Sequence, residues 1–74
     1  MAKGFIHTVY KGGQWVNEVE DGEEIGGVHA TKEEAVRSGR ARAHQDTTEH
    51  VIHNQDGSIS ERNSYGRDPA GRPG

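Results

Sequence analysis

Residues 29–45 read HATKEEAVRSGRARAHQ, and they carry the strongest local structural signal in the chain. Thr31 and Glu34 fit a capping box, in which each side chain accepts a hydrogen bond from the other residue's backbone amide. The pattern predicts a helix from about Lys32 to His44 or Gln45. Its inward face would hold small side chains, which bury little surface, so the helix must pack against a sheet to be stable. These inward residues are Ala35, Val36, Gly39 and Ala43.

A first hairpin is predicted before the helix. Residues 5–10 (FIHTVY) and 14–20 (QWVNEVE) are rich in β-formers, and Gly12-Gly13 between them can adopt the positive φ angles of a primed turn. Alternation along the second strand places Trp15, Asn17 and Val19 on one face, with Trp15 and Val19 pointing inward, and leaves Val16 as an apolar residue on the outer face. Residues 20–27 (EDGEEIGG) are interpreted as an acidic loop punctuated by glycine.

A second hairpin is predicted after the helix. Residues 49–54 (EHVIHN) form a third strand, Asp56-Gly57 lies in a tight turn, and a short fourth strand starts at residues 59–62 (ISER). The element order is β-β-α-β-β. It predicts an α+β fold, with a small antiparallel sheet of strand order 2-1-3-4 and one helix packed on one face. We expect a single domain over residues 1–69 and a frayed C-terminal tail over residues 70–74.

The composition predicts a folded domain with a small core. The 74 residues contain no cysteine and no leucine, and the formal net charge is −3. Ten of the eleven Ile, Val and Phe residues are β-branched, which suits a sheet. Since disulfides and thiolate zinc sites are excluded, oligomerisation is the remaining way to reinforce so small a chain. The sequence has no apolar run of membrane-spanning length and no signal-peptide pattern at its start, so a cytoplasmic location is expected.

The motifs taken in order resemble a family of small bacterial proteins of unknown function, the domain of unknown function 2188 family. The resemblance covers roughly residues 5–69 and is most specific in the closing segment, where Asp-Gly-x-Ile is followed by Ser-Tyr-Gly-x-Asp-Pro. This chain departs from the pattern at Gln14, inserted before the tryptophan, and in its longer acidic loop. The resemblance implies a fold and a bacterial or phage origin, and no activity. The residues expected to act as structural motifs are Trp15, Thr31, Glu34, Asp56, Gly57, Ile59, Tyr65 and Gly66.

The five histidines do not follow a known metal-binding motif, and no cofactor or metal site is predicted. His50 and His53 are three residues apart on a strand and face opposite sides, so they cannot chelate one ion together. His7 and His53 could meet across paired strands. The serines have no recognisable base-and-orienter set, and a chain this short has little room for a pocket. We expect a protein that is not an enzyme and has no small-molecule substrate.

The charges leave three interpretations open for the surface. Arg37, Arg40 and His44 are spaced to form one outward stripe on the helix, with Arg42 nearby, whereas residues 18–24 (EVEDGEE) carry five acids. The stripe is either a solvated helix face or a nucleic-acid contact, although the net charge opposes the latter. The third interpretation is protein association, either as a symmetric dimer through the uncovered face or edge of the sheet, with Val16 marking the candidate dimer face, or between the acidic loop and the basic helix. We predict a self-associating interaction module, with an accessory nucleic-acid-binding protein as the alternative and no membrane partner.

Overall fold

The computed structural model of the chain describes residues 4–66. They form five strands and one helix, in the order β1 (Ile6–Lys11), β2 (Gln14–Val19), β3 (Glu24–His29), α1 (Lys32–Asp46), β4 (Glu49–His53) and β5 (Ile59–Ser64). Both predicted hairpins and the helix are present, and the α+β class is confirmed. The predicted frayed tail, residues 70–74, lies outside the described residues.

The sheet corrects the predicted topology. It has five strands in the order β3-β2-β1-β4-β5, and it is mixed, because β1 and β4 pair in parallel while all other neighbours are antiparallel. The prediction of a purely antiparallel, four-stranded sheet is therefore wrong: the four predicted strands are neighbours in the predicted order, as β2-β1-β4-β5, but β3 extends the sheet beyond β2 and the β1–β4 pair is parallel. The physical reason is the additional strand β3. It reverses the chain once more before the helix, so that β4 enters the sheet in the same direction as β1.

Strand β3 arises from the segment that was interpreted as an acidic loop. The turn before it is closed by backbone hydrogen bonds between Val19 and Glu23 (2.9 Å) and between Gly22 and Val19 (2.8 Å). Within β3 the pairing with β2 shifts, and Gly26 and Gly27, both with positive φ, stand at the shift. Such a bulge bends an edge strand and hides the alternation of side chains by which a strand is recognised in sequence.

The helix begins and ends close to the predicted residues. Thr31 is its N-cap, and its side-chain oxygen accepts a hydrogen bond from the Glu34 amide at 3.2 Å. The helix continues to Asp46, one residue beyond the predicted end, and Thr47 caps it in the left-handed conformation (φ 55°, ψ 51°). It packs against β1, β2, β3 and β4.

Alanine and glycine form the buried face of the helix, as predicted. Ala35, Gly39 and Ala43 are buried, whereas Val36, predicted to point inward, is only half-buried at the rim. On the sheet beneath, Ile6, Trp15 and Ile52 complete the core of this side. Val19, also predicted to point inward, is half-buried.

Candidate functional site

One face of the sheet is left uncovered by residues 4–66, because α1 is the only helix they contain and it lies on the opposite side. We call this uncovered side the open face. The Asn17 amide donates to the Ala35 carbonyl of the helix at 2.9 Å, which places Asn17 on the helix side and its neighbours Val16 and Glu18 on the open face.

An apolar row crosses the open face. Val16 pairs with Val9 on β1 and with Val28 on β3, and the row continues through His53 on β4 to its partner Ile59 on β5. Val28 and Ile59 are 56% and 54% exposed. Val16 lies on the predicted outer face but is only 2% exposed, because it is flanked by paired strands on both sides, so its own side chain offers little free surface. The exposed apolar area of the row belongs to the two edge strands.

Ion pairs border the apolar row. The Lys11 ammonium contacts Glu18 and also Glu24, the latter at 3.3 Å, and these hydrogen bonds raise the pKa of Lys11 above its ordinary value. At the β4–β5 end of the same face, the Arg62 guanidinium lies 3.2 Å from the Glu49 carboxylate. In the sequence, the five acids of residues 18–24 form one group with no basic residue among them. The structure places Glu18 and Glu24 on the open face, where both contact the same basic residue, Lys11.

Two histidines meet at the centre of the open face, as their spacing indicated. His7 Nδ1 lies 3.0 Å from His53 Nε2, and the two rings are 5.2 Å apart between centroids. The outer nitrogens have partners of their own: His7 Nε2 lies 2.5 Å from a Glu20 carboxylate oxygen, and His53 Nδ1 lies 3.1 Å from the Gly57 carbonyl oxygen. Glu20 was not recognised from the sequence, because it follows the end of β2 and its reach to β1 depends on the turn.

The partners determine where the protons of this pair lie. A carboxylate and a carbonyl oxygen can only accept, so His7 Nε2 and His53 Nδ1 both donate. In the neutral pair both protons are then used, so the two remaining nitrogens are both acceptors and face each other at 3.0 Å. The pair therefore has both outer nitrogens fixed by acceptors and both inner nitrogens directed at one point. Among residues 4–66, no cluster of three or more His, Asp or Glu side chains is arranged to hold a metal ion.

A second polar cluster is buried between the helix and the sheet. The Thr8 hydroxyl donates to the Asn17 amide oxygen at 2.5 Å, and His50 Nε2 lies 2.7 Å from the same hydroxyl oxygen. Because that hydroxyl has one proton and gives it to Asn17, His50 Nε2 must donate, which leaves His50 Nδ1 as a buried acceptor without a partner in the described chain. Burial, together with the nearby Arg40 charge, lowers the pKa of His50 to about 4. All three side chains are almost fully enclosed, which indicates a structural role.

The basic residues of the helix divide between its two flanks. Arg37 and Arg40 are exposed and line one shallow depression with Lys32, Glu33 and Val36. Arg42 lies on the other flank, where its guanidinium pairs with Asp46 at 3.0 Å and lines a depression with residues Gly4, Val19, Glu20, Asp21 and Glu23. His44 stacks on Tyr65, with 4.0 Å between ring centroids. The structure thus brings together Arg37 and Arg40 and separates Arg42 from them.

The predicted motif residues occupy turns and packing positions. Trp15 is buried against Tyr10, and the Lys32 ammonium lies 5.6 Å from the centre of its ring. In the closing turn the Ser58 hydroxyl and amide donate to Asp56, lowering the pKa of that carboxyl, while Gly57 supplies the positive φ. The Tyr65 amide donates to the Thr48 carbonyl at 3.2 Å, and Gly66 follows as an exposed bend.

The comparisons with known proteins give a family. The chain matches the family described as "Uncharacterized protein conserved in bacteria (DUF2188)" over residues 6–65. It therefore belongs to this family, as the resemblance of its motifs indicated. No curated protein and no solved structure matches the chain. Within residues 4–66 the helix is too short and too polar to cross a membrane.

Proposed function

We propose that this protein is a small, non-enzymatic interaction module of the bacterial cytoplasm that associates with a second copy of itself through the open face of its sheet. The observation that carries the proposal is the apolar row formed by Val9, Val16, Val28 and Ile59. An antiparallel sheet that keeps one face in water normally carries polar residues on that face. Here valines stand side by side on three neighbouring strands.

The arrangement around the row supports this interpretation. Protein interfaces combine an apolar centre with a polar rim, and here the row is bordered by the ion pairs of Lys11 with Glu18 and of Arg62 with Glu49. A chain of 74 residues also gains more from association than a larger one, because it buries a smaller fraction of its own surface. A two-fold symmetric contact would bury the same residues on both copies.

The test is sedimentation velocity over a range of protein concentrations. We expect the wild-type chain to show concentration-dependent association, and the double variant Val28→Asp with Ile59→Asp to sediment as a monomer, because two buried unpaired carboxylates per chain would oppose the contact. Both positions are exposed in the monomer, so the fold should survive. The control is Ala41→Asp, which adds a carboxylate on the exposed side of the helix. Association that persists in the double variant would exclude the open face as the contact surface of the dimer.

A second candidate function, nucleic-acid binding, rests on the depression beside Lys32, Arg37 and Arg40, which contains three cations and one acid. Phosphate contacts weaken steeply as salt increases because bound counterions are released. If the depression binds nucleic acid, the double variant Arg37→Glu with Arg40→Glu would abolish binding of a short DNA duplex at low salt. Arg42→Glu, on the far flank of the helix, would reduce this binding much less. Equal losses in both variants, or no binding by the wild-type chain, would contradict this alternative.

A further inference from the structure

We infer that His7 and His53 form half of a transition-metal site, which a second copy of the chain completes, so that one zinc-type ion bridges two open faces. This inference rests on the proposed function, because it assigns a ligand to the same contact. It starts from the two imidazole nitrogens that point at each other, His7 Nδ1 and His53 Nε2, at a separation of 3.0 Å.

The outer hydrogen bonds are those that a metal-bound histidine uses. A ligating imidazole almost always donates its other N–H to a carboxylate or a backbone carbonyl, which fixes the ring and its tautomer. His7 has the Glu20 carboxylate in this role, and His53 has the Gly57 carbonyl. Both lone pairs are thereby directed at one point before any ion is present.

The distance between the nitrogens suits a tetrahedral ion. Zinc lies about 2.0–2.1 Å from each imidazole nitrogen, which separates two tetrahedral ligands by about 3.3 Å. A movement of a few tenths of an ångström is therefore sufficient, and both rings are half-buried rather than enclosed. Imidazole nitrogen favours zinc, copper and nickel over magnesium or calcium.

Ligand number and charge point to a second copy as the missing half. Residues 4–66 supply two inward nitrogens and no third converging ligand, whereas a structural zinc ion takes four. A two-fold axis through the ion would supply the other two nitrogens from the partner's identical pair. The open face also carries more carboxylates than permanent cations: Glu18, Glu20, Glu24 and Glu49 against Lys11 and Arg62. Two such faces repel each other, and a divalent cation between them offsets that repulsion.

The experiment compares metal-free protein with protein titrated with zinc chloride, using calorimetry for stoichiometry and sedimentation for mass. We expect one zinc per two chains and at least a tenfold gain in dimer affinity. The variant His53→Gln should lose both, whereas His44→Gln, which removes a histidine from the helix, should lose neither. Glu20→Gln should weaken zinc binding by about 10- to 100-fold, as expected when the partner of a ligating histidine is altered. Cobalt(II) should give the intense visible absorption of a tetrahedral complex.

The outcomes separate this inference from the proposed function. A dimer that forms equally well in chelator and in zinc would retain the self-association and overturn the metal bridge. One zinc per chain on a monomer would overturn the bridge as well, and the absence of a dimer in every condition would overturn both proposals. Equal loss of zinc binding in His44→Gln and His53→Gln would show that the ion does not bind at the His7–His53 pair. Near-ultraviolet circular dichroism, which reports on the packing of the buried Trp15 ring, verifies that each variant is folded.

Discussion

Gly39 in the helix lies directly over Asn17 in β2, and a Cβ atom built on Gly39 would collide with the Asn17 amide oxygen. The same atom would lie 2.7 Å from His50 Nε2 and 2.9 Å from the Thr8 hydroxyl oxygen. The missing side chain of Gly39 thus makes room for three hydrogen-bonded polar groups. This relationship explains why a residue that weakens helices occupies the middle of one.

We expect Gly39→Ala to destabilise the protein by about 2 kcal/mol. Alanine favours the helix by about 1 kcal/mol over glycine, but forcing a methyl group into a filled site costs about 1–3 kcal/mol and displaces atoms whose hydrogen bonds are each worth about 1 kcal/mol. Urea unfolding measures the difference. The matched variant Ala41→Gly, at an exposed helix position, reports the propensity alone and should cost about 1 kcal/mol. A stabilised Gly39→Ala protein would mean that the helix does not lie so close to the sheet.

Thr8→Val should cost about 2–4 kcal/mol. The substitution keeps the shape of the side chain but removes the hydroxyl, leaving the buried His50 N–H and the Asn17 amide oxygen without a partner; each such loss costs about 1–3 kcal/mol. Thermal and urea unfolding measure the effect. Thr48→Val is the control, because the hydroxyl of that buried threonine makes only a 3.4 Å contact with the Gly4 carbonyl, and it should cost less than 1 kcal/mol. Similar losses of stability in both variants would contradict a stabilising role for the hydrogen bonds of Thr8 with Asn17 and His50.

Acid should destabilise the fold through His50 between about pH 6.5 and pH 4. The native pKa of His50 is lowered to about 4 from its ordinary 6.5, so below pH 6.5 the unfolded chain binds a proton that the native chain does not. Stability is therefore fully present above pH 6.5 and falls with pH, by about 3 kcal/mol in total, since one pKa unit corresponds to about 1.4 kcal/mol. Unfolding free energies measured at intervals of pH check this slope. His50→Gln, whose amide can still donate to Thr8, should flatten it; an unchanged slope would assign the effect to other groups.

Thr47→Gly should stabilise the protein by about 1 kcal/mol. Thr47 ends the helix with φ 55° and is exposed, and this left-handed conformation is unfavourable for a β-branched residue but free of strain for glycine. Its amide still donates to the carbonyls of Ala43 and His44, so the cap itself is retained. Thermal unfolding should show stability decreasing in the order Gly, Asn, Thr for the residue at position 47. Destabilisation by glycine would show that the Thr47 side chain makes a contact that outweighs its strain.

The parts of the fold that could be predicted are those with short-range causes. Gly12-Gly13 and Asp56-Gly57 mark turns because the backbone there needs positive φ, and Thr31 marks the helix start because its hydroxyl satisfies an amide three residues away. These signals do not depend on the rest of the chain. The contact between His7 and His53 was considered only as an option, because the two strands that carry them were expected to pair.

The parts that could not be predicted depend on neighbours distant in sequence. Gly26 and Gly27 interrupt the alternation of β3, and once β3 was missed the direction of β4 was wrong. Val16 was correctly placed away from the helix, but its burial depends on the strands on both sides, one of which was the missing β3. Spacing placed His44 in one stripe with Arg37 and Arg40, but its stacking on Tyr65 depends on a residue that lies beyond β5 in the chain.

The parallel pairing of β1 with β4 has a consequence for how the chain is made. β1 is the middle strand of the sheet and β4 is one of its two neighbours, and the contact between Thr8 and His50 joins residues 42 positions apart. Contacts of such long range make folding slower than in helical proteins of the same size. On the ribosome, we expect the first hairpin and the helix to wait until β4 has emerged, because before then one edge of β1 is unpaired and part of the sheet under the helix is missing. A fragment ending at Asp46 should therefore remain unfolded, even though it holds most of the residues.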